Sequence, residues 1–422
     1  MLNIDKDAGL IANWLSQFDV DDQPIATKLL EQLVYIDYSE MRTALTDAIL
    51  KRGFEIDGCV GLYAERHVRH YRGKPTRLFK AETVAQKGGK KCHRAEGIGP
   101  DPVVSQRRYA HDTGSEGLVA QLITQICKSH PRKFLDHPGP LNIRSKKVRS
   151  FMLVTDFIGS GQRAVSYLNA AWRVRSVRSW WSLGWMKFDV VSYAGTGTGL
   201  KRVRSLTCSP TVRTVRGCPI IADLDSDTAS DFVRICSNYG PKIKAWKETP
   251  LGFQNTGALL IFEHGAPNNT PYLLHGASKV WTPLFPQRTT FQAVRVNAHS
   301  LAESRIKQRL NKLGHERLEH LLSLPPFGEQ TQQTALVLSV LRKPPRTLET
   351  VSAKTGLTTF EVEAAILRAQ ASGFLTPKLQ PTDKAFAELT YLKQNKKATI
   401  RVSKGSDTAY FPTVLRPPKG DV

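Results

Sequence analysis

The chain has 422 residues, with 60 Lys and Arg against 37 Asp and Glu, a formal net charge of +23. At 41% hydrophobic residues it can fill a core, which excludes wholesale disorder. No apolar run nears the roughly 18 residues of a membrane span, and Met1-Leu2-Asn3-Ile4-Asp5-Lys6-Asp7 lacks the basic and apolar regions of a secretory signal, so the expected setting is the cytoplasm.

The excess charge is uneven. Residues 1–50 carry three basic and nine acidic side chains, residues 66–108 twelve and three, and residues 163–216 ten and one. Such a field attracts polyanions: nucleic acid, nucleotide phosphates or an acidic partner. The cysteines (Cys59, Cys92, Cys127, Cys208, Cys218 and Cys236) form no CxxC pair, and only Cys92-His93 sets a Cys beside a His. Those spacings predict reduced thiols and no zinc.

Residues 1–55 read as a helical segment. Ile11, Trp14, Leu15 and Phe18 fall at helical spacing, Pro24 opens a second run through Ile25, Leu29, Leu30, Leu33 and Ile36, and Ser39 to Lys51 makes a third, ending at Gly53. A core domain over 56–295 follows. Asp57 to Glu65 is a short strand, and 86–115, rich in Gly, Lys and Pro, is a long basic loop whose composition predicts mobility. Gly117 to Ser129 is a helix. Phe151-Met152-Leu153-Val154 is a continuous apolar run, as expected of a strand buried on both faces. A Gly-rich turn, a helix from Arg163 to Val174 and a strand from Phe188 to Ala194 complete a β-turn-α-β unit. Ala258 to Phe262 is a second apolar strand, and Pro219 to Ala222 a weaker one. The alternation predicts an α/β fold with a parallel, doubly wound sheet. Residues 296–395 read as a winged helix domain, with helices over 331–341, Thr347 to Thr355 and Thr358 to Ser372 and a wing over Phe374 to Phe386. A tail, 396–422, carries Tyr410-Phe411-Pro412.

The chemistry is expected in Phe151 to Arg163, where a buried strand ends in Asp156 and the turn Gly159-Ser160-Gly161 leads through Gln162 into a helix N-terminus. Glycines let backbone N–H groups approach an anion, and the helix dipole favours phosphate there. Asp156 can accept from sugar hydroxyls, and ligands of open parallel sheets bind at that strand edge. Neither the GxxxxGK[ST] nor the GxGxxG pattern is present.

This loop resembles the ribose-5-phosphate motif of type I phosphoribosyltransferases. Asp156, Ser160 and Gly161 match the motif, while Thr155 stands in place of its first acid and Arg163 in place of a usual Thr. A wider set of segments matches a narrower family: Trp14 to Phe18, Leu62 to Arg66, Gly114 to Gly117, Ile235 to Gly240, Phe262 to Thr270, Trp281 to Pro286 and Tyr410 to Arg416. Together they resemble the phosphoribosyltransferase-like proteins of bacterial conflict and antiphage defence systems, the PRTase-CE type. The resemblance implies a phosphoribosyltransferase-like core with N-terminal helices and a C-terminal winged helix. It also implies an effector or toxin role, often beside a sensor such as a retron reverse transcriptase with its RNA and DNA.

Other candidates follow from position. Glu263 and His264 come after the second apolar strand, are expected on the same sheet edge as Asp156, and could move a proton. Asn268 and Asn269 could read a base edge, or simply form a Pro-Asn-Asn-Thr-Pro turn. Arg66, beside Glu65, ends the first strand and can fork onto phosphate oxygens, or form a strand-end ion pair. Gly195 to Gly199 reads as a hinge more than an anion turn, and Asp223, Asp225 and Asp227 as a solvated acidic turn. Val362, Ala365, Ile366 and Ala369 are the inward stripe of the third C-terminal helix, whose exposed side carries Glu361 and Glu363; these acids disfavour base reading. Two functions stay open. One is an effector enzyme that binds a nucleotide or sugar-phosphate, with Mg²⁺ if the ligand carries a pyrophosphate. The other is a non-catalytic nucleic-acid-binding or scaffold subunit of a ribonucleoprotein complex.

Overall fold

A computed structural model describes residues 4–85, 91–102, 115–241, 249–290 and 329–387. The chain divides into two compact units, one of residues 1–215 with 220–291, the other of 216–219 with 292–422.

The first unit opens with α1 (Ile4–Leu15), α2 (Gln23–Gln32), β1 (Val34–Ile36) and α3 (Tyr38–Glu55). Asp37 caps α3 by accepting from the Glu40 N–H at 2.7 Å. Then come β2 (Val60–Ala64), the short antiparallel pair β3 (His70–Tyr71) and β4 (Lys74–Pro75), and a hairpin of β5 (Lys80–Ala85) and β6 (Lys91–Glu96). The expected basic loop is therefore strand over 91–96, while 86–90 and 103–114 lie outside the described residues. Next are α4 (Ser115–Ser129), β7 (Phe134–Asp136), α5 (Pro140–Ser145), β8 (Ser150–Ile158), α6 (Gln162–Trp172), α7 (Arg175–Ser182), β9 (Lys187–Gly195), α8 (Gly197–Arg204), β10 (Thr211–Gly217), α9 (Ser226–Asn238) and β11 (Leu260–Phe262).

The main sheet has the order β10-β9-β8-β2-β7, and the pairs β9–β8, β8–β2 and β2–β7 are parallel. All nine residues of β8, at its centre, are buried, so the continuous apolar run does mark a strand covered on both faces. Phe151 stacks on Tyr63 at 3.9 Å and tilts against Phe188 at 5.3 Å, tying β8 to both neighbours. After β2 the chain goes to β7 on one side, then crosses back to β8 on the other. A topological switch point thus falls between β2 and β8, where open α/β sheets bind ligands at the carboxyl ends of their strands.

Several expectations are corrected. Val34 to Ile36, read as the end of a helix, forms β1. The second apolar strand does not join the main sheet; β11 pairs in parallel with β1 instead. Pro219 to Ala222 gives only a bridge from Ile220 to Ala258 and a 3-10 turn at Ile221–Asp223, while β10 went unread. The Gly195 to Gly199 hinge is the start of α8, capped by Thr196, and Asp225 caps α9. Among the described residues no helix is long and apolar enough to cross a membrane.

The second unit holds α10 (Glu329–Leu341), α11 (Leu348–Thr355) and α12 (Thr359–Ala371). Gly356 ends α11 in the left-handed region at φ 70°. A full capping box joins Thr358 and Glu361 at the start of α12. Leu336, Val351, Val362, Ile366 and Phe374 share its core. The wing is shorter than expected: Leu375 bridges Pro381, and 383–387 are already helical. The tail, with Tyr410-Phe411-Pro412, lies outside the described residues.

Candidate functional site

At the switch point two carboxylates emerge side by side. Asp156 lies near the end of β8 and Glu65 directly follows β2, with the Glu65 N–H donating to the Val154 carbonyl at 2.9 Å. Both are buried, at 5% and 4% exposure. Thr155 lies between them, its hydroxyl 2.9 Å from Glu65 Oε2 and 3.2 Å from Asp156 Oδ1. The acid absent from position 155 is thus present in space, supplied by the neighbouring strand.

Asp156 is held from several directions. Its Oδ1 accepts from the Phe157 N–H at 2.8 Å, and its Oδ2 from His264 Nε2 at 3.0 Å. Burial pushes its carboxyl up, but the His264 hydrogen bond and charge, with Arg163 and Ser115, more than offset this and hold it below the ordinary range. Glu65 goes the other way. Burial raises its carboxyl, and Arg163 and Thr155 only partly oppose that. Arg163 donates to Glu65 Oε2 from Nε at 3.2 Å and from Nη2 at 3.0 Å, and its Nη1 lies 3.6 Å from Glu116. The residue expected to touch phosphate therefore clamps acids from β2 and α4. Ser115 and Glu116, at the start of α4, reach the site from the motif that begins at Gly114, itself outside the described residues.

His264 arrives from outside the main sheet. Phe262 of β11 packs edge-on against Phe157 (6.2 Å) and Tyr193 (6.0 Å), and the His264 ring stacks on Phe262 at 4.8 Å. The imidazole is thus seated over Asp156, and its Nδ1 is buried without a hydrogen-bond partner among the described residues. An imidazole fixed by a carboxylate, with its second nitrogen unengaged, can accept a proton. Glu263 turns elsewhere: its Oε2 accepts from the Tyr38 N–H at 2.8 Å, capping α3.

The loop between β8 and α6 is braced by close backbone packing. Gly161 takes φ +75° at the N-cap of α6, with no side-chain cap, so the first N–H groups of the helix have no partner within it. A Cβ at Gly161 would come 2.7 Å from the Gly199 carbonyl, one at Gly199 would overlap the Gly159 carbonyl, and one at Gly159 would overlap the Asn269 carboxamide. Thr196 Oγ1 donates to the Gly159 carbonyl at 2.6 Å, and Arg202 to the Ser160 carbonyl at 2.8 Å. The Gln162 N–H meets Ser160 Oγ at 3.4 Å, and Gln254 Nε2 meets Gln162 Oε1 at 3.3 Å. Carbonyls are thus taken from behind, while the uncapped helix end remains for an anion.

Asn269 is buried and donates to the Phe253 carbonyl (3.2 Å) and Thr256 Oγ1 (2.9 Å), so it buttresses the loop. Asn268 contributes its carbonyl to the Phe253 N–H. Arg66 lies beside Tyr167, whose phenol is pushed up by burial, with the nearby guanidinium opposing; yet among the described residues neither Arg66 Nε nor Tyr167 Oη has hydrogen-bond geometry to a partner. The structure therefore joins Asp156, His264 and the 159–163 loop, and sets Glu263 and Asn269 to structural contacts. Sequence reading passed over Glu65, Thr196, Gly199, Arg202 and Gln254 as site residues. Glu65 carried a signal as an acid ending the first buried strand, and Thr196 and Gly199 carried one in the Gly-rich stretch read as a hinge more than an anion turn; Arg202 and Gln254 carried none.

Among the described residues no three His, Cys, Asp or Glu side chains converge to hold a metal. No curated protein and no solved structure matches the chain. The family model described as PRTase-CE matches residues 11–287, which span the main sheet, the switch point and His264, and the one described as wHTH-PRTase associated matches residues 335–417. The chain belongs to the PRTase-CE family, with its associated winged helix-turn-helix module.

Proposed function

We propose that the chain is an effector that binds a nucleotide or sugar-phosphate at the switch point and acts on its glycosidic or phosphoribosyl bond. The observation that carries this is the uncapped N-terminus of α6 beside the buried Asp156–His264 pair. Phosphate oxygens would take the N–H groups of Gly159 to Arg163, and Asp156 would accept from ribose hydroxyls. His264, positioned by Asp156, would carry the proton exchanged with the base or the attacking group. A Mg²⁺ ion carried by a pyrophosphate needs only one or two protein carboxylates; Asp156 and Glu65 supply that number, and the ion would neutralise phosphate charge when bound. The family resemblance further supports a cytoplasmic role in antiphage defence, with a partner such as a reverse transcriptase ribonucleoprotein restraining activity until infection.

A second reading has its own support. Arg163 is already engaged by Glu65 and Glu116, which favours a non-catalytic scaffold. One experiment separates the two. The protein is incubated with nucleotides and phosphoribosyl pyrophosphate, and products are resolved by mass spectrometry for wild type and Asp156→Ala. Product formation lost in Asp156→Ala supports the enzyme; identical profiles sink it.

A further inference from the structure

The edge of the main sheet opposite the site carries a second, unassigned feature. The segment before β8 exposes Lys146, Lys147 and Arg149, and β9 starts with exposed Lys187. Parallel register brings these together: Ser150 pairs with Lys187, and the Lys187 N–H donates to the Arg149 carbonyl at 2.9 Å. The starts of β8 and β9 are thus about 4.8 Å apart. The Arg149 stem lies over Gly58, where a Cβ would come 2.7 Å from Arg149 Cγ. Among the described residues none of these four cations forms an ion pair. Acids of the neighbouring elements are engaged elsewhere: Asp189, two residues after Lys187, is held by Arg52 at 2.7 Å and by Ser150 at 2.6 Å, and Glu55 by Arg52 and Arg213. Asp57, next in the chain to the Gly58 under the Arg149 stem, is exposed.

Two apolar side chains stand in the same segment before β9. Leu183 and Trp185 are each 56% exposed, although large aromatic residues usually go inside. Trp185 is not a loose end. Gly184 at φ +70° turns the chain after α7, the Trp185 and Met186 N–H groups both donate to the Trp180 carbonyl at 2.9 and 3.2 Å, and buried Met186 anchors the turn. An indole held outward beside four uncancelled cations has the composition of a single-strand platform, in which cations track the backbone and an aromatic face stacks a base.

We propose that this edge is a docking face for single-stranded nucleic acid. Phosphates lie on Lys146, Lys147, Arg149 and Lys187, and one base stacks on Trp185. The face is distinct from the Asp156 site, at the other end of the strands, and does not depend on how that site works. The test is fluorescence anisotropy of the full chain with labelled 20-mer oligouridylate and a duplex of equal length, titrated across salt. Lys147→Glu/Arg149→Glu/Lys187→Glu is expected to weaken single-strand binding at least tenfold and to flatten the log–log salt slope by about 2, as losing three phosphate contacts requires. Trp185→Ala is expected to weaken it about tenfold with the slope unchanged, and Asp156→Ala to leave it unaltered. Three results overturn the proposal: folded variants of both kinds that bind as wild type does, equal affinity for the duplex, or no binding at low salt. The last would assign the face to an acidic protein instead.

Discussion

Arg163→Met should strand the Glu65 carboxylate. Glu65 is 4% exposed, and its Oε2 accepts from Thr155 and twice from Arg163. Removing one partner of a buried ion pair costs about 3–5 kcal/mol. The Arg163 side chain is 36% exposed, so water screens part of the pair and the expected loss is nearer about 2 kcal/mol. Urea unfolding at pH 7 measures it. The sign of the pH dependence follows from Glu65, whose folded carboxyl already sits above its ordinary value because of burial. Without Arg163 it rises further. Between the ordinary value and the raised one, the folded state binds more protons than the unfolded chain, so stability falls as pH rises through that window. The deficit of the variant should therefore shrink as pH is lowered from 7 towards 4. Adding Glu65→Gln should restore most of it at pH 7. A loss under about 0.5 kcal/mol at pH 7, set against the ~2 kcal/mol expected, or the same loss at pH 5 and 7, would refute the reasoning.

Four further outcomes are expected. Gly199→Ala should abolish nucleotide binding by titration calorimetry and cost about 1–3 kcal/mol, because its Cβ would overlap the Gly159 carbonyl, which Thr196 holds in place. Thr155→Asp should destabilise rather than improve the site, since the new carboxylate would join Glu65 and Asp156 with Arg163 as their shared cation; a urea midpoint at or above wild type would contradict this. Thr358→Ala should lose about 1 kcal/mol and open the first turn of α12 to hydrogen exchange, because the Glu361 N–H loses its hydroxyl acceptor while only the Thr358 N–H to Glu361 half of the capping box remains. Burial pushes the Cys208 and Cys236 thiols up to about 12, so a thiol reagent at pH 8 should label neither until the chain is unfolded.

The parts of the fold with strong local signals were legible in the sequence. A continuous apolar run such as Phe151 to Val154 marks a strand covered on both faces, and glycines between it and a helical period fix the turn. The three C-terminal helices were equally clear from their stripes and caps. What was lost lacked a local signal. Val34 to Ile36 continues the spacing of Leu29, Leu30 and Leu33, so a three-residue strand hid inside a helical period; its partner is more than 200 positions away, at Leu260–Phe262. In β6, Lys91-Cys92-His93-Arg94-Ala95-Glu96 shows no apolar alternation, because its pairing comes from the β5 backbone. Tertiary register decided each of these cases.

The same register explains how position 155 can be Thr. In the ribose-phosphate motif two consecutive acids end one strand, but consecutive side chains of a strand point to opposite faces. A second carboxylate can therefore reach the Asp156 neighbourhood as well from an adjacent strand as from the preceding residue. Here β2 and β8 pair Ala64 with Val154, so Glu65 extends one residue further, level with Thr155 and beside the switch point. Thr155 is small enough to leave that space and supplies a hydroxyl that bonds Glu65. Burial of a second acid then requires a nearby cation, and Arg163, which replaces the Thr usual in the motif, provides it. The two departures from the motif meet in the structure: Thr155 and Arg163 both bond the Glu65 carboxylate that follows the neighbouring strand. This is why Arg163→Met should cost more than a surface ion pair, and why Glu65→Gln should rescue it where Thr155→Asp should not.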